Sequence, residues 1–155
     1  MSRDDSFWRS VGPDTAWVVQ QLGRLGVPPH ILDDASADVL ASAWRQWSVE
    51  QTRIADRSIR PWLMRLAADR ALASLEFSSS RAGSTRSRVL RALDALPFVD
   101  RLTFLVCEIE RMSDEDAVFV CGGDRGDLAA ARRRARAAFV VAFDALAPKR
   151  SRRPT

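Results

Sequence analysis

The apolar positions of the chain recur at helical spacing along most of its length. Trp17, Val18, Gln21, Leu22 and Leu25 fall on one stripe within residues 14–26, and Gly26 with Pro28-Pro29 stops that helix. A second helix is expected from Asp33 to about Glu50. Asp33 and Asp34 open it, as the positive end of a helix dipole favours, and Val39, Leu40, Ala43, Trp44 and Trp47 follow the helical period. A third runs from about Ser58 to Phe77, with Pro61 tolerated in its first turn and Ile59, Trp62, Leu63 and Leu66 beginning its apolar face. Residues 1–13 precede the pattern and read as a tail.

The composition then changes. Ser78-Ser79-Ser80-Arg81-Ala82-Gly83-Ser84-Thr85 is small and polar, so 78–88 reads as a flexible linker between a lobe at 14–77 and another at 89–146. In the second lobe Val89–Leu96 makes a short helix ended by Pro97. Phe98, Leu102, Leu105, Val106, Ile109 and Met112 mark the buried side of the next helix. Ser113 caps another, which ends at Gly122-Gly123. The last starts near Arg125 and carries Leu128, Ala135, Phe139, Ala142, Phe143 and Leu146. Residues 147–155 form a basic tail. No segment alternates with a period of two between turn residues, so the expected class is all-α, two small helical lobes joined by a linker.

Composition supports a folded protein: 155 residues, 46% hydrophobic and 28% charged. No apolar run has the length to cross a bilayer, and Met1-Ser2-Arg3-Asp4-Asp5-Ser6 lacks the basic-then-apolar order of a signal peptide. A cytoplasmic protein with no membrane partner is expected. The net charge is only +4, but the arginines cluster at Arg81, Arg86, Arg88 and Arg91, and again at Arg132, Arg133, Arg134 and Arg136. Such clusters suit a polyanion; they also suit plain solvated helix faces, and charge alone does not separate the two. Cys107 and Cys121 read as core thiols, with a redox pair as the lesser reading. His30 is the single histidine and has no ligand cluster near it, so neither a metal nor a cofactor is expected. With no histidine base or convergent second site, no enzyme is expected.

The stretch Ser113–Phe139 has the outline of a helix-turn-helix: a short capped helix, a glycine turn, and a longer helix rich in arginine. More than the outline is present. Ala95-Leu96-Pro97, Phe104-Leu105-Val106, Glu108-Ile109-Glu110-Arg111-Met112-Ser113, Cys121-Gly122 and Arg133-Arg134-Ala135-Arg136, in that order, resemble the C-terminal domain of extracytoplasmic-function sigma factors. The N-terminal lobe resembles the same family through Leu25-Gly26-Val27-Pro28, Asp33-Asp34, Asp38-Val39, Ala43-Trp44 and the run from Pro61 to Leu72. The resemblance covers about residues 14–146.

It implies an N-terminal domain that binds core RNA polymerase and captures unstacked bases of the −10 element, and a C-terminal domain that reads the −35 element. Polymerase contacts then fall on Asp34, Asp38, Trp44 and Arg45. The −10 strand falls to Arg57, Arg60, Trp62, Arg65 and Arg70, since aromatic and arginine surfaces suit single-stranded bases. Trp62 also shares the apolar stripe, which makes it a core anchor. Contacts to −35 DNA fall on Arg125, Arg132, Arg133, Arg134 and Arg136. Partners implied are core polymerase, promoter DNA and an anti-sigma factor.

The chain departs from the family pattern where DNA is read. Gly126-Asp127-Leu128-Ala129-Ala130-Ala131 stands where small polar residues and an exposed arginine are usual. Alanines donate nothing to base edges, and Asp127 is better suited to capping a helix than to gripping phosphate. Asp69, with Ala68 beside it, likewise stands in the −10 reader where an uncharged polar residue is usual. Two functions are therefore expected to compete: a sigma factor directing initiation at alternative promoters, and a sigma-like interaction protein that binds a regulator or polymerase without reading promoters. A stand-alone helix-turn-helix repressor would leave the N-terminal lobe without a role.

Overall fold

The computed structural model describes residues 1–55, 57–77 and 86–148. Most of the expected linker and the end of the expected basic tail, residues 78–85 and 149–155, lie outside the described residues. Eight helices are found among the described residues, and no strand.

The first helix occupies the segment expected to be a tail. Helix α1 (Arg3–Val11) is opened by a capping box: Asp5 N donates to Ser2 Oγ at 3.1 Å and Ser2 N to Asp5 Oδ2 at 3.3 Å. Its apolar content is small, but Phe7 and Val11 stand four residues apart and both are buried. Phe7 meets the edges of Trp44 and Trp47 at centroid distances of 5.2 and 5.7 Å, and the Trp47 indole N–H donates to Ser6 Oγ at 2.9 Å. These contacts hold α1 in the core of the lobe.

Helix α2 (Thr15–Arg24) buries the stripe Trp17, Val18, Gln21 and Leu22. Helix α3 (Leu32–Ile54) runs a turn longer than its sequence pattern and buries Ala35, Val39, Ala43 and Trp47, a line with a step of four. Helix α4 (Arg60–Phe77) lies centrally, against both α2 and α3. Ala67, Ala68 and Ala71 are buried on it, and side chains this small allow close approach of its neighbours.

Beyond the undescribed segment, Ser87 caps α5 (Arg88–Asp94). Pro97 leads into α6 (Phe98–Phe104), which continues as a π-helical turn over Leu105–Ile109. Ser113 opens α7 (Asp114–Cys121) by accepting from Asp116 N at 3.2 Å. Gly122 and Gly123 make the next turn with φ of +80° and +78°, where side chains are disfavoured. Helix α8 (Arg125–Ala145) then starts with a second capping box, Asp127 N to Asp124 Oδ1 at 2.8 Å and Asp124 N to Asp127 Oδ2 at 3.1 Å. Asp127 is thus turned back onto its own helix start.

One apolar cluster runs through both lobes, from Phe7 and Trp17 to Ala117, Val120 and Leu128, and α7 packs on α4. The turn from the π segment into α7 holds Arg111 at φ +50°. A left-handed conformation costs a side-chain-bearing residue about 1–2 kcal/mol, and glycine loses roughly 0.5–1 kcal/mol in unfolded-state entropy. Arg111 is exposed and has no hydrogen-bond or ion-pair partner among the described residues. Arg111→Gly is therefore expected to stabilise the fold by about 0.5–1 kcal/mol. A thermal melt checks this, and a lower melting temperature would mean the side chain makes a stabilising contact.

Candidate nucleic-acid interface

The second lobe presents α8 as its outer helix. Leu128 and Ala135 pin one side of it to the core, and the first turns of the opposite side expose Arg125, Ala129, Ala130 and Arg133. Arg125, Ala129 and Arg133 recur every four residues along one line. The remaining arginines expected to reach DNA are held by carboxylates of the same lobe. Arg136 grips Glu108 through two bonds of 2.8 and 2.9 Å, and Arg132 donates to the same Glu108. Arg134 donates to the buried Asp100 at 2.8 Å. The Arg136 and Arg132 guanidiniums hold the Glu108 carboxyl below its ordinary pKa, so the group stays ionised well into mild acid. Only Arg125 and Arg133, of the five on α8, have no such partner among the described residues.

The arginines of α4 are dispersed. Arg60, Arg65 and Arg70 are five residues apart, so successive side chains point roughly 140° from one another. Arg60 turns to α2, with Asp14 Oδ1 at 2.9 Å and the Trp17 ring centroid 5.0 Å from its guanidinium. Arg65 turns to α7 and lies 5.1 Å from the Phe119 ring centroid. Arg70 turns to α3, bonded to Asp38 Oδ2 at 2.8 Å and to Ser74. Arg57, just before α4, pairs with Glu115 of α7 at 3.1 Å. Pairs this exposed contribute only about 0–1 kcal/mol, so a phosphate can displace the carboxylate at modest cost. Trp62 is 5% exposed and packs beside Trp47, which leaves no face for stacking a base.

Of the residues expected to hold polymerase, Asp34 and Arg45 are exposed on α3, and Asp38 is engaged by Arg70. Trp44 is half-covered: α1 lies beside it, with Arg3 4.3 Å above its ring and donating to its carbonyl at 2.7 Å. In the cluster at the start of α5, Arg86 bonds the Gly23 carbonyl and Arg88 the Phe143 carbonyl, so both serve the fold, while Arg91 is exposed. Cys107 and Cys121 are free thiols. Burial pushes both up, Cys121 to about 11, so neither is a ready thiolate near neutrality. Among the described residues no group of histidine, cysteine and carboxylate side chains has the arrangement of a metal site. No helix among them is long and apolar enough to cross a membrane.

Sequence reasoning did not single out Glu108, Asp100 or Arg101 for the parts they play. Their signals are long-range pairings, and only the folded chain brings the partners together.

No protein-family model matches the sequence, and no curated protein matches it. Solved structures do match in three dimensions. The sigma factor RpoE from Bartonella quintana, solved in complex with the anti-sigma factor NepR, aligns with a TM-score of 0.72 at 15% identity, over 92% of this chain and 99% of that one. CnrH, solved in complex with the cytosolic domain of CnrY, aligns with a TM-score of 0.76 at 25% identity, over 93% of this chain and 91% of that one. The two-lobed helical architecture described above is therefore the fold of a sigma factor along nearly its whole length.

Proposed function

We propose that this chain is an extracytoplasmic-function type sigma factor, which binds core RNA polymerase in the cytoplasm and directs it to a small set of promoters. The observation that carries this reading is the second lobe: a capped helix, a two-glycine turn and a long helix whose exposed line bears two arginines with no carboxylate partner among the described residues. It follows an N-terminal lobe in a chain that aligns with RpoE over 92% of its length. In this reading the exposed side of α3, with Asp34 and Arg45, meets polymerase. Arg65 and the displaceable pairs of Arg57, Arg60 and Arg70 guide the −10 strand. Arg125 and Arg133 hold phosphates beside the −35 element, with Arg132, Arg134 and Arg136 flanking them. An anti-sigma factor is a natural further partner, since RpoE was solved with one.

A second reading is favoured by Ala129 and Ala130, which stand exposed where base edges would be read and offer no hydrogen bond. Under it the protein keeps the shape of a sigma factor and binds a regulator or polymerase without selecting promoters. The discriminating experiment is transcription of the source organism's genomic DNA by its core polymerase, with and without this protein, followed by sequencing of RNA 5′ ends. New discrete starts that share an upstream sequence are expected. None, from a core that responds to another sigma factor, would reject promoter reading and leave the second function.

A further inference from the structure

The three arginines of α8 that meet carboxylates are not held alike. Arg134 is bound to Asp100, a buried residue in the first turn of α6. At roughly 100° per residue it points about 180° away from Arg125 around the helix axis. Arg132 and Arg136 lie within about 20° of Arg125, one on each side, about two and three turns farther along. They prolong the cationic face that Arg125 begins, yet both are taken by one carboxylate. Glu108 accepts from Arg132 Nε, and from Arg136 through Nε at 2.8 Å and Nη2 at 2.9 Å.

A phosphate would meet the same arrangement: an oxyanion gripped by two charge-assisted bonds from one fork and a third from the neighbouring turn. Glu108 reaches it from the π turn, four residues beyond Phe104, whose ring stacks on Phe139 of α8 at a centroid distance of 4.2 Å. The next carboxylate along the chain does other work. Glu110 accepts from three side chains of α2, the Trp17 indole N–H at 3.1 Å, the Gln21 amide at 2.8 Å and the Arg24 guanidinium at 3.0 Å, and so serves the fold. Glu108 binds no residue outside its own lobe among the described residues, and the Arg132 and Arg136 side chains beside it are 39% and 54% exposed. A duplex can therefore approach the pair from solvent.

We propose that Glu108 is a charge governor: an internal substitute for a DNA phosphate that occupies Arg132 and Arg136 and limits the grip of α8 on duplex of any sequence. The inference rests on the reading of α8 as the duplex-facing helix. Phosphate contacts add affinity without carrying sequence information. A helix that presents Ala129 and Ala130 has little base readout to set against them, and arginines left free all along it would hold the chain on any DNA. Two cations and one carboxylate leave the Arg132–Arg136–Glu108 cluster with a net charge of +1; without Glu108 it carries +2.

The governor is tested by fluorescence anisotropy of the full chain on a labelled duplex of random sequence, over a salt series from about 50 to 200 mM. Glu108→Gln keeps the length of the side chain and removes its charge. It is expected to tighten binding about tenfold at the low end of the series and about threefold at the high end. The slope of log affinity against log salt then steepens by about one unit. In a background of Arg132→Ala with Arg136→Ala the same change is expected to have no effect, which separates release of these two forks from a general gain of charge. Should Glu108→Gln lose its cooperative melt, Glu108→Asp keeps the carboxylate but draws it back from one fork. That variant is expected to tighten binding about threefold at the low end of the series. A wild type that binds the duplex, with folded Glu108 variants that bind it no tighter, would overturn the governor and leave the duplex-facing reading of α8 standing. An equal gain in the background without the two arginines would do the same. Absence of binding by wild type and variants alike would remove that reading and the governor with it.

Discussion

Arg101→Ala is expected to lower the stability of the protein by about 3–5 kcal/mol, the range for removing one member of a buried charged network. Arg101 is 2% exposed and is among the largest fully buried side chains. Its guanidinium donates to the Leu25 carbonyl at 2.5 Å, the Leu96 carbonyl at 3.1 Å and the Asp94 carbonyl at 3.2 Å, joining the end of α2 to the α5–α6 corner. The backbone makes room for it. Gly26 sits at φ +100°, and a Cβ there would fall far inside contact distance of Arg101 Nη1. Truncation leaves carbonyls without a donor and a cavity of several methylenes that two lobes can close only in part. Against a typical total of about 5–15 kcal/mol this is a large fraction, and it corresponds to a fall in melting temperature of about 10 °C. Arg101→Lys keeps the charge but reaches fewer carbonyls, so an intermediate loss is expected. Urea titration of the three proteins checks the order. A loss below 1 kcal/mol for alanine would mean that water reaches those carbonyls in solution.

The second large effect concerns DNA. Arg125→Ala combined with Arg133→Ala should weaken binding to a labelled duplex about 10–100-fold at low salt. It should also flatten the dependence of log affinity on log salt by about two units, since each lost phosphate contact removes about 0.9. The pair is singled out because no carboxylate neutralises either residue among the described groups, whereas Arg132 and Arg136 share Glu108. Alanine at Arg132 is expected to move the slope less, because Glu108 already offsets part of its charge. Fluorescence anisotropy over a salt series makes the measurement. A slope unchanged in the double variant would show that the outer face of α8 does not meet the duplex.

These two cases also show where the sequence was readable. The stripe on α2, the Ser113 cap, the double-glycine turn and the capping role of Asp127 all follow from spacing within ten or so residues, and each has a local physical cause. Helix α1 was legible only through the Ser2/Asp5 box and the Phe7–Val11 step; with so few apolar residues, its stability comes from Trp44 and Trp47, forty residues away. The π turn left no mark in the pattern. Arg101 is harder still. A charged residue within an apolar run reads as solvent-facing, and nothing local reveals that the Leu25 carbonyl, 76 residues earlier, is its partner. The pairing of the arginines on α8 was hidden for the same reason. Clustered arginines look free in a sequence, and the carboxylates that hold Arg132, Arg134 and Arg136 lie 24 to 34 residues away.

The polar groups along α2 have a consequence for synthesis on the ribosome. Helices α1–α4 are complete once residue 77 has emerged, while Arg101 and Glu110 appear some seconds later at about 5–20 residues per second. During that interval the N-terminal half carries, on the α2 side of its unfinished face, the Trp17 indole N–H, the Gln21 amide, the Arg24 guanidinium and two backbone carbonyls. Water satisfies all of them as well as the missing lobe later does. The α2 side of the nascent half is thus spared a wholly greasy surface, which lessens its tendency to recruit neighbours on the polysome.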